Sequence, residues 1–128
     1  MKAFYFLPIF LVLFACGSNS ETINQNKSIS IINKTSTKNG ITTALFTVWG
    51  NCEMCKETIE KSVKKEGVRK ANWDVKQKTM KISYDSTKIC LKSIQQFIAD
   101  AGYDNVRFTG NLKAYIKLHA CCQYERKQ

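Results

Sequence analysis

Within residues 41–110 the spacing of apolar side chains switches repeatedly between two periods, and few folds satisfy that order of switches. Ala44, Phe46 and Val48 alternate across Thr42 to Trp49, as in a half-buried strand. From Glu53 to Glu66 the period lengthens. Cys55, Ile59 and Val63 recur at helical spacing, Glu57–Lys61 and Glu60–Lys64 are favourable i,i+4 pairs, and Gly67 is a natural stop. Alternation returns over Val68 to Val75, with Ala71, Trp73 and Val75 inward. After the polar turn Lys76-Gln77-Lys78 it continues through Met80, Ile82 and Tyr84. Leu91, Ile94, Phe97, Ile98 and Ala101 then form a second helical stripe ended by Gly102. Tyr103 to Thr109 reads as a last strand, with Val106 and Phe108 on one face. Strand, helix, strand, strand, helix, strand predicts a ferredoxin-like βαββαβ sandwich of the α+β class, one sheet covered by two helices. Trp73, Phe97 and the isoleucines are expected in its core.

The chemistry concentrates where the first strand gives way to the first helix. In Val48-Trp49-Gly50-Asn51-Cys52-Glu53-Met54-Cys55 two thiols stand three residues apart, one of them in the first helical turn. Such a pair can point at one ion. The partial positive charge of a helix N-terminus favours thiolates, and thiolates select Cu(I), Zn(II) and similar soft ions. Haem attachment through C-x-x-C-H fails, because Lys56 follows Cys55. Residues 111–128 form an extension carrying His119-Ala120-Cys121-Cys122, a second set of soft donors. One possibility is that this tail folds back, so that Cys121 or Cys122 joins Cys52 and Cys55 on one ion; four thiolates would make a closed tetrahedral site like structural zinc. A last strand running to the far edge would leave a return path of roughly 20 Å, which the tail spans only if largely extended. Leu112, Tyr115, Ile116 and Leu118 would pack part of it on the domain. The alternatives are a separate tail site, a strained Cys121–Cys122 disulfide, or thiols without a role. Cys90, at the start of the second helix, reads as structural.

The C-x-x-C at the junction, Gly67-Val68, the paired middle strands and Ala101-Gly102-Tyr103 together resemble the heavy-metal-associated domain of copper chaperones and heavy-metal ATPases. The resemblance covers about residues 41 to 110. It implies that Cys52 and Cys55 bind the metal, that Tyr103 stands beside the metal loop, and that a metal-transporting ATPase or another exchange partner takes the ion. The family usually carries a methionine before the first cysteine, tucked under the loop. Here Gly50-Asn51-Cys52 has none, so Trp49 or Gly50 is expected to fill that place. The neutral Asn51 leans toward Cu(I) over Zn(II). Met54, between the cysteines, offers a thioether but is expected to be a packing or exposed residue.

Met1 to Ala15 has one charge, Lys2, then an apolar run from Ala3 broken only by Pro8. It is too short to span a membrane and fits a signal-peptide core. Leu13-Phe14-Ala15-Cys16-Gly17 resembles a bacterial lipoprotein cleavage site, which implies residues 1–15 as the signal, lipidation of Cys16 and a membrane anchor. Gly17 to Gly40, without an aromatic residue, reads as a flexible spacer spanning roughly 27 Å root-mean-square. Within it Ile29, Ile31 and Ile32 are the lesser alternative of an edge strand. The expected location is the bacterial cell envelope, on the periplasmic or extracellular side. Six cysteines less the lipidated Cys16 leave an odd number, which argues against a pure disulfide scaffold. The net charge of +10 is spread along the chain. A solvated surface, or contact with anionic lipid heads, is expected rather than nucleic acid.

Two functions follow. The first is a metal-binding protein, not an enzyme, that captures a soft ion for sequestration or transfer by thiolate exchange. The second is a thiol–disulfide oxidoreductase using Cys52 and Cys55. The only proline, Pro8, cannot supply the cis-proline such enzymes place at their active site, and the element order differs from theirs.

Overall fold

The computed structural model describes residues 34–126. The signal segment, Cys16 and most of the spacer lie outside the described residues. Strands β1 (Lys34–Lys38), β2 (Ile41–Thr47), β3 (Val68–Asp74) and β4 (Thr79–Asp85) form one antiparallel sheet in the order β1-β2-β4-β3. Helices α1 (Glu53–Ser62) and α2 (Leu91–Asp100) follow β2 and β4, and a short α3 (Leu112–Ile116) and a 3₁₀ turn (Ala120–Cys122) complete the chain. This is the ferredoxin-like α+β sandwich. No helix among the described residues is long and apolar enough to cross a membrane.

The two hydrophobic periods explain the layers. Ala44, Phe46 and Val48 of the first run, Trp73 of β3, and Met80, Ile82 and Tyr84 of β4 are buried on one sheet face. Register brings Phe46 and Trp73 to flank Met80, and Ala44 and Ala71 to flank Ile82. Ile59 and Val63 from the first helical run and Ile94 and Ile98 of α2 close over them. Each fully buried aliphatic side chain of this kind contributes about 1.5–3 kcal/mol. Phe97 departs from expectation. It is only half-buried, with Lys65 Nζ 5.2 Å above its ring. Glu60 pairs not with Lys64 but with Lys56, at 3.0 Å. It also accepts the Trp73 N–H at 2.9 Å, fastening α1 to β3.

Two edges differ from the expected pattern. The spacer does not stay coiled through Gly40, because Lys34–Lys38 pairs with β2 from Lys34↔Leu45 to Lys38↔Ile41. The turn between them is Asn39-Gly40, both with positive φ (51° and 73°), as a tight hairpin requires. At the other end, Tyr103 to Thr109 is not a strand. It makes one bridge, Val48↔Asn105, and then turns. Asn105 is the cause. Its Oδ1 accepts the N–H groups of Arg107 and Phe108, both at 3.1 Å, offering the backbone a turn in place of a ladder. Its Nδ2 donates to the Gln95 carbonyl at 2.9 Å.

That turn decides where the C-terminal extension begins. Asn111 N–H donates to the Ala99 carbonyl at 2.7 Å, so the tail sets off from the end of α2 and not from the far edge of the sheet. Gly102 lets α3 lie close. Its φ is +97°, and a Cβ there would stand 2.7 Å from the Tyr115 backbone nitrogen.

Candidate metal centre

The loop between β2 and α1 is held from both sides. Trp49 N–H donates to the Asp104 carbonyl and Val48 N–H to the Lys78 carbonyl, both at 2.9 Å. Cys52 is the N-cap residue of α1, and Cys55, buried, lies in its first turn. The two sulfurs are 3.4 Å apart, and Asn51 N–H donates to Cys55 Sγ at 3.3 Å. The space beneath the loop is filled by neither Trp49 nor Gly50 but by the indole of Trp73. Its Nε1–H reaches the Val48 carbonyl at 3.1 Å. Gly50 supplies the room, since a Cβ there would stand 3.0 Å from the indole and 3.3 Å from Cys55 Cβ. Trp49 packs half-buried at the side. Met54 is exposed.

The tail completes the arrangement. Cys122 is 2% exposed, with its sulfur 3.6 Å from that of Cys52. The sulfurs of Cys52, Cys55 and Cys122 all lie within 4.8 Å of one another. Metal–sulfur bonds of about 2.3 Å place ligand sulfurs about 3.8 Å apart in a tetrahedron and about 4.0 Å apart in a trigonal plane. These three thiols therefore need little movement to share one soft ion. Cys121 is exposed, 3.5 Å from Cys52 and 3.9 Å from Cys122. Its other contacts are His119 Nδ1 at 3.4 Å and Met54 Sδ at 3.6 Å. Cys121 and Cys122 are both free thiols. Cys90 stands at the N-cap position of α2 without a side-chain capping bond, its sulfur 3.2 Å from Ser93 Oγ, apart from this group.

The expectation that only an extended tail reaches the loop is overturned, because the turn at Asn105 shortens the return path and leaves room for α3. Leu112 and Ile116 stay exposed, while Tyr115 and Leu118 pack on the core. Three residues that the sequence reading passed over hold the tail down. The Tyr124 hydroxyl accepts the Asp104 N–H at 2.6 Å and donates to the Gly102 carbonyl at 3.0 Å. Its ring stacks on Tyr103 (5.8 Å) and meets Tyr115 edge-on (5.3 Å). Arg126 donates to the fully buried Asp104 carboxylate at 2.8 Å and to the Gly110 carbonyl at 2.6 Å, with Gly110 N–H on the same carboxylate. Arg126 is partly exposed, but removing it would leave the buried Asp104 carboxylate without its charge partner, so the clasp fixes the tail's geometry.

Electrostatics separate the thiols. For Cys52, burial works against ionisation. The Cys55 backbone N–H and the thiols of Cys55, Cys121 and Cys122 outweigh it and lower the pKa to about 7. Burial pushes the Cys122 thiol far up, helped by its contacts with Cys55 and Cys52. Cys121 is raised, first by its contact with Cys52. Tyr103 is buried, and its hydroxyl is left without a hydrogen-bond partner among the described residues. Burial, then charge on Cys55 and Cys122, pushes its pKa up.

A ferredoxin-like sheet that presents converging thiols from its first strand–helix loop defines a soft-metal-binding domain. The heavy-metal-associated domain matches residues 51–104. The chain belongs to that family. A solved Bacillus anthracis protein assigned as copper-ion-binding is 33% identical, with a TM-score of 0.50, over 53% of this chain and 99% of that one. The CopZ metallochaperone is 27% identical over 50% of this chain and 98% of its own, with a TM-score of 0.49. Oxidized MerP from Ralstonia metallidurans is 27% identical over 49% and 93%, with a TM-score of 0.44. No curated protein matches the chain. The family match ends at Asp104, so the clasped tail lies beyond it.

Proposed function

We propose that this protein is a lipid-anchored carrier of the bacterial cell envelope that captures Cu(I) on Cys52, Cys55 and Cys122, catalysing no reaction. The observation that carries this reading is the convergence of those three sulfurs within 4.8 Å. Three soft thiolates favour Cu(I), and Zn(II) is the competing ion. The neutral Asn51 beside Cys52, and the likeness to a protein assigned as copper-ion-binding, support the same choice. The apolar run ending at Ala15-Cys16 supports the anchor. Release proceeds by thiolate exchange. A thiol of a metal-transporting ATPase, or of another acceptor, attacks the ion before a resident thiolate leaves, and the third ligand slows that step. The carrier therefore leans toward holding its ion until such a partner docks.

The test is anaerobic competition of Cu(I) and Zn(II) for the reduced full-length chain. Cu(I) is expected to win. The C122S variant is expected to weaken binding at least tenfold, and the C52S/C55S pair to abolish it. Absence of tight Cu(I) binding by the reduced protein overturns the reading. It would favour the redox alternative, for which a Cys52 pKa of about 7 next to Cys55 is the supporting observation. Fatty-acid labelling that survives Cys16→Ser overturns the anchor.

A further inference from the structure

We propose that the centre takes up two Cu(I) ions, an inner one on Cys52, Cys55 and Cys122 and an outer one on Cys121 and His119, with the Cys52 thiolate bridging them. This rests on the Cu(I) reading above and extends it from one ion to two.

The inner set accounts for three thiols and leaves the fourth with neighbours of its own. Cys121 stands at the solvent rim. Its sulfur lies 3.4 Å from His119 Nδ1, 3.6 Å from Met54 Sδ and 3.5 Å from Cys52 Sγ. Imidazole, thioether and thiolate are all donors that soft ions accept. Separations of 3.4–3.6 Å around one sulfur are contact distances, a few tenths of an ångström short of the spacing of sulfur ligands on one ion, so small outward shifts would let these donors share one. The packing does not otherwise require these neighbours. His119, Cys121 and Met54 are all exposed, and no core contact holds them together.

Cys52 is the natural bridge. It is 3.4 Å from Cys55 and 3.6 Å from Cys122 on one side, and 3.5 Å from Cys121 on the other. A thiolate sulfur has lone pairs enough for two soft ions. The backbone adjacency of Cys121 and Cys122 divides the sets, because the 3₁₀ turn sends one sulfur into the core and leaves the other outside.

Charge also closes. One Cu(I) on three thiolates leaves a net charge of 2−. When a second Cu(I) displaces the Cys121 proton, a cation enters as a cation leaves, so the net charge stays 2−. His119 binds neutral. Four thiolates can balance either pair of ions, so the preference for Cu(I) rests on the softness of the donors.

The experiment titrates the reduced full-length chain anaerobically with Cu(I) and reads ions per monomer by native mass spectrometry. X-ray absorption then looks for a copper–copper path. Two ions on a monomeric mass, with that path present, are expected. The H119A/C121S variant should hold one ion, with the path lost and the first affinity within about threefold of the parent. A parent that takes one tight ion overturns the two-ion proposal and leaves the carrier reading intact. A parent that takes none overturns both. Two ions retained by H119A/C121S, or found only on a dimeric mass, also overturn the proposal.

Discussion

Tyr124→Phe should release the C-terminal segment while leaving its packing shape unchanged. The ring is 2% exposed, and its hydroxyl bonds the Asp104 N–H and the Gly102 carbonyl. Phenylalanine fills the same volume and loses both hydrogen bonds. Each is worth about 1 kcal/mol, so the two come to about 2 kcal/mol. If the tail opens by itself, 2 kcal/mol multiplies its open population by about thirtyfold, at 1.4 kcal/mol per tenfold. Cys122 can be alkylated only when the tail opens, whereas Cys121 is exposed in the closed state. Mass-spectrometric mapping of iodoacetamide labelling should therefore show Cys122 reacting about thirtyfold faster in the variant, with Cys121 nearly unchanged as the internal control. A Cys122 rate within twofold of the parent would refute the clasp. A melting temperature lowered by about 8–16 °C would show instead that tail and domain unfold as one unit.

Other outcomes follow from the same geometry. In the metal-free reduced protein, labelling of Cys52 should be half-maximal near pH 7, because its pKa is lowered to about 7. The sign is that of a depressed acid: its contribution to stability is present above the ordinary thiol pKa and is lost as pH falls through about 7. Gly102→Ala combines a φ of +97° with a Cβ 2.7 Å from backbone, and it should cost more than about 2 kcal/mol in urea unfolding and expose Cys122. Gly50→Ala pushes a methyl to 3.0 Å from the Trp73 indole and should cost about 1–3 kcal/mol, read from the same urea midpoints. Cu(I) at a hundredfold excess over its Kd should stabilise the fold by about 2.7 kcal/mol, an increase that a Cu(I) chelator reverses.

The layers of the fold were legible because burial on one side of a sheet enforces period two and burial of one helix face enforces a period near 3.6. Ala44 to Val48 and Leu91 to Ile98 carry those patterns without interruption. The edges were not legible in the same way. β1 holds lysine, threonine and serine, so no apolar alternation marks it. Its signal was the Asn39-Gly40 pair, which hairpins favour for its positive φ values. Asn105 ended the last strand through a side-chain turn that alternation at Val106 and Phe108 cannot reveal. At the site, Cys52 and Cys55 were visible from spacing alone. The convergence of Cys122 depended on Tyr124 and Arg126 finding Asp104, pairings between distant positions that one sequence does not display.

The clasp has a further consequence when Cys122 is regarded as a tethered reagent. Linking a ligand to its site by a short chain gives it an effective concentration on the order of millimolar or more, and fixing the chain raises that figure. A free thiol at micromolar concentration cannot compete with such a ligand by mass action. An acceptor that loosens the Asp104–Arg126 contact removes the gain from fixing the chain and drops Cys122 toward the effective concentration of a flexible tether, without touching the ion. The salt bridge at 2.8 Å would then act as a latch on metal release, and Arg126, beyond the end of the family domain, would be the handle a partner must turn.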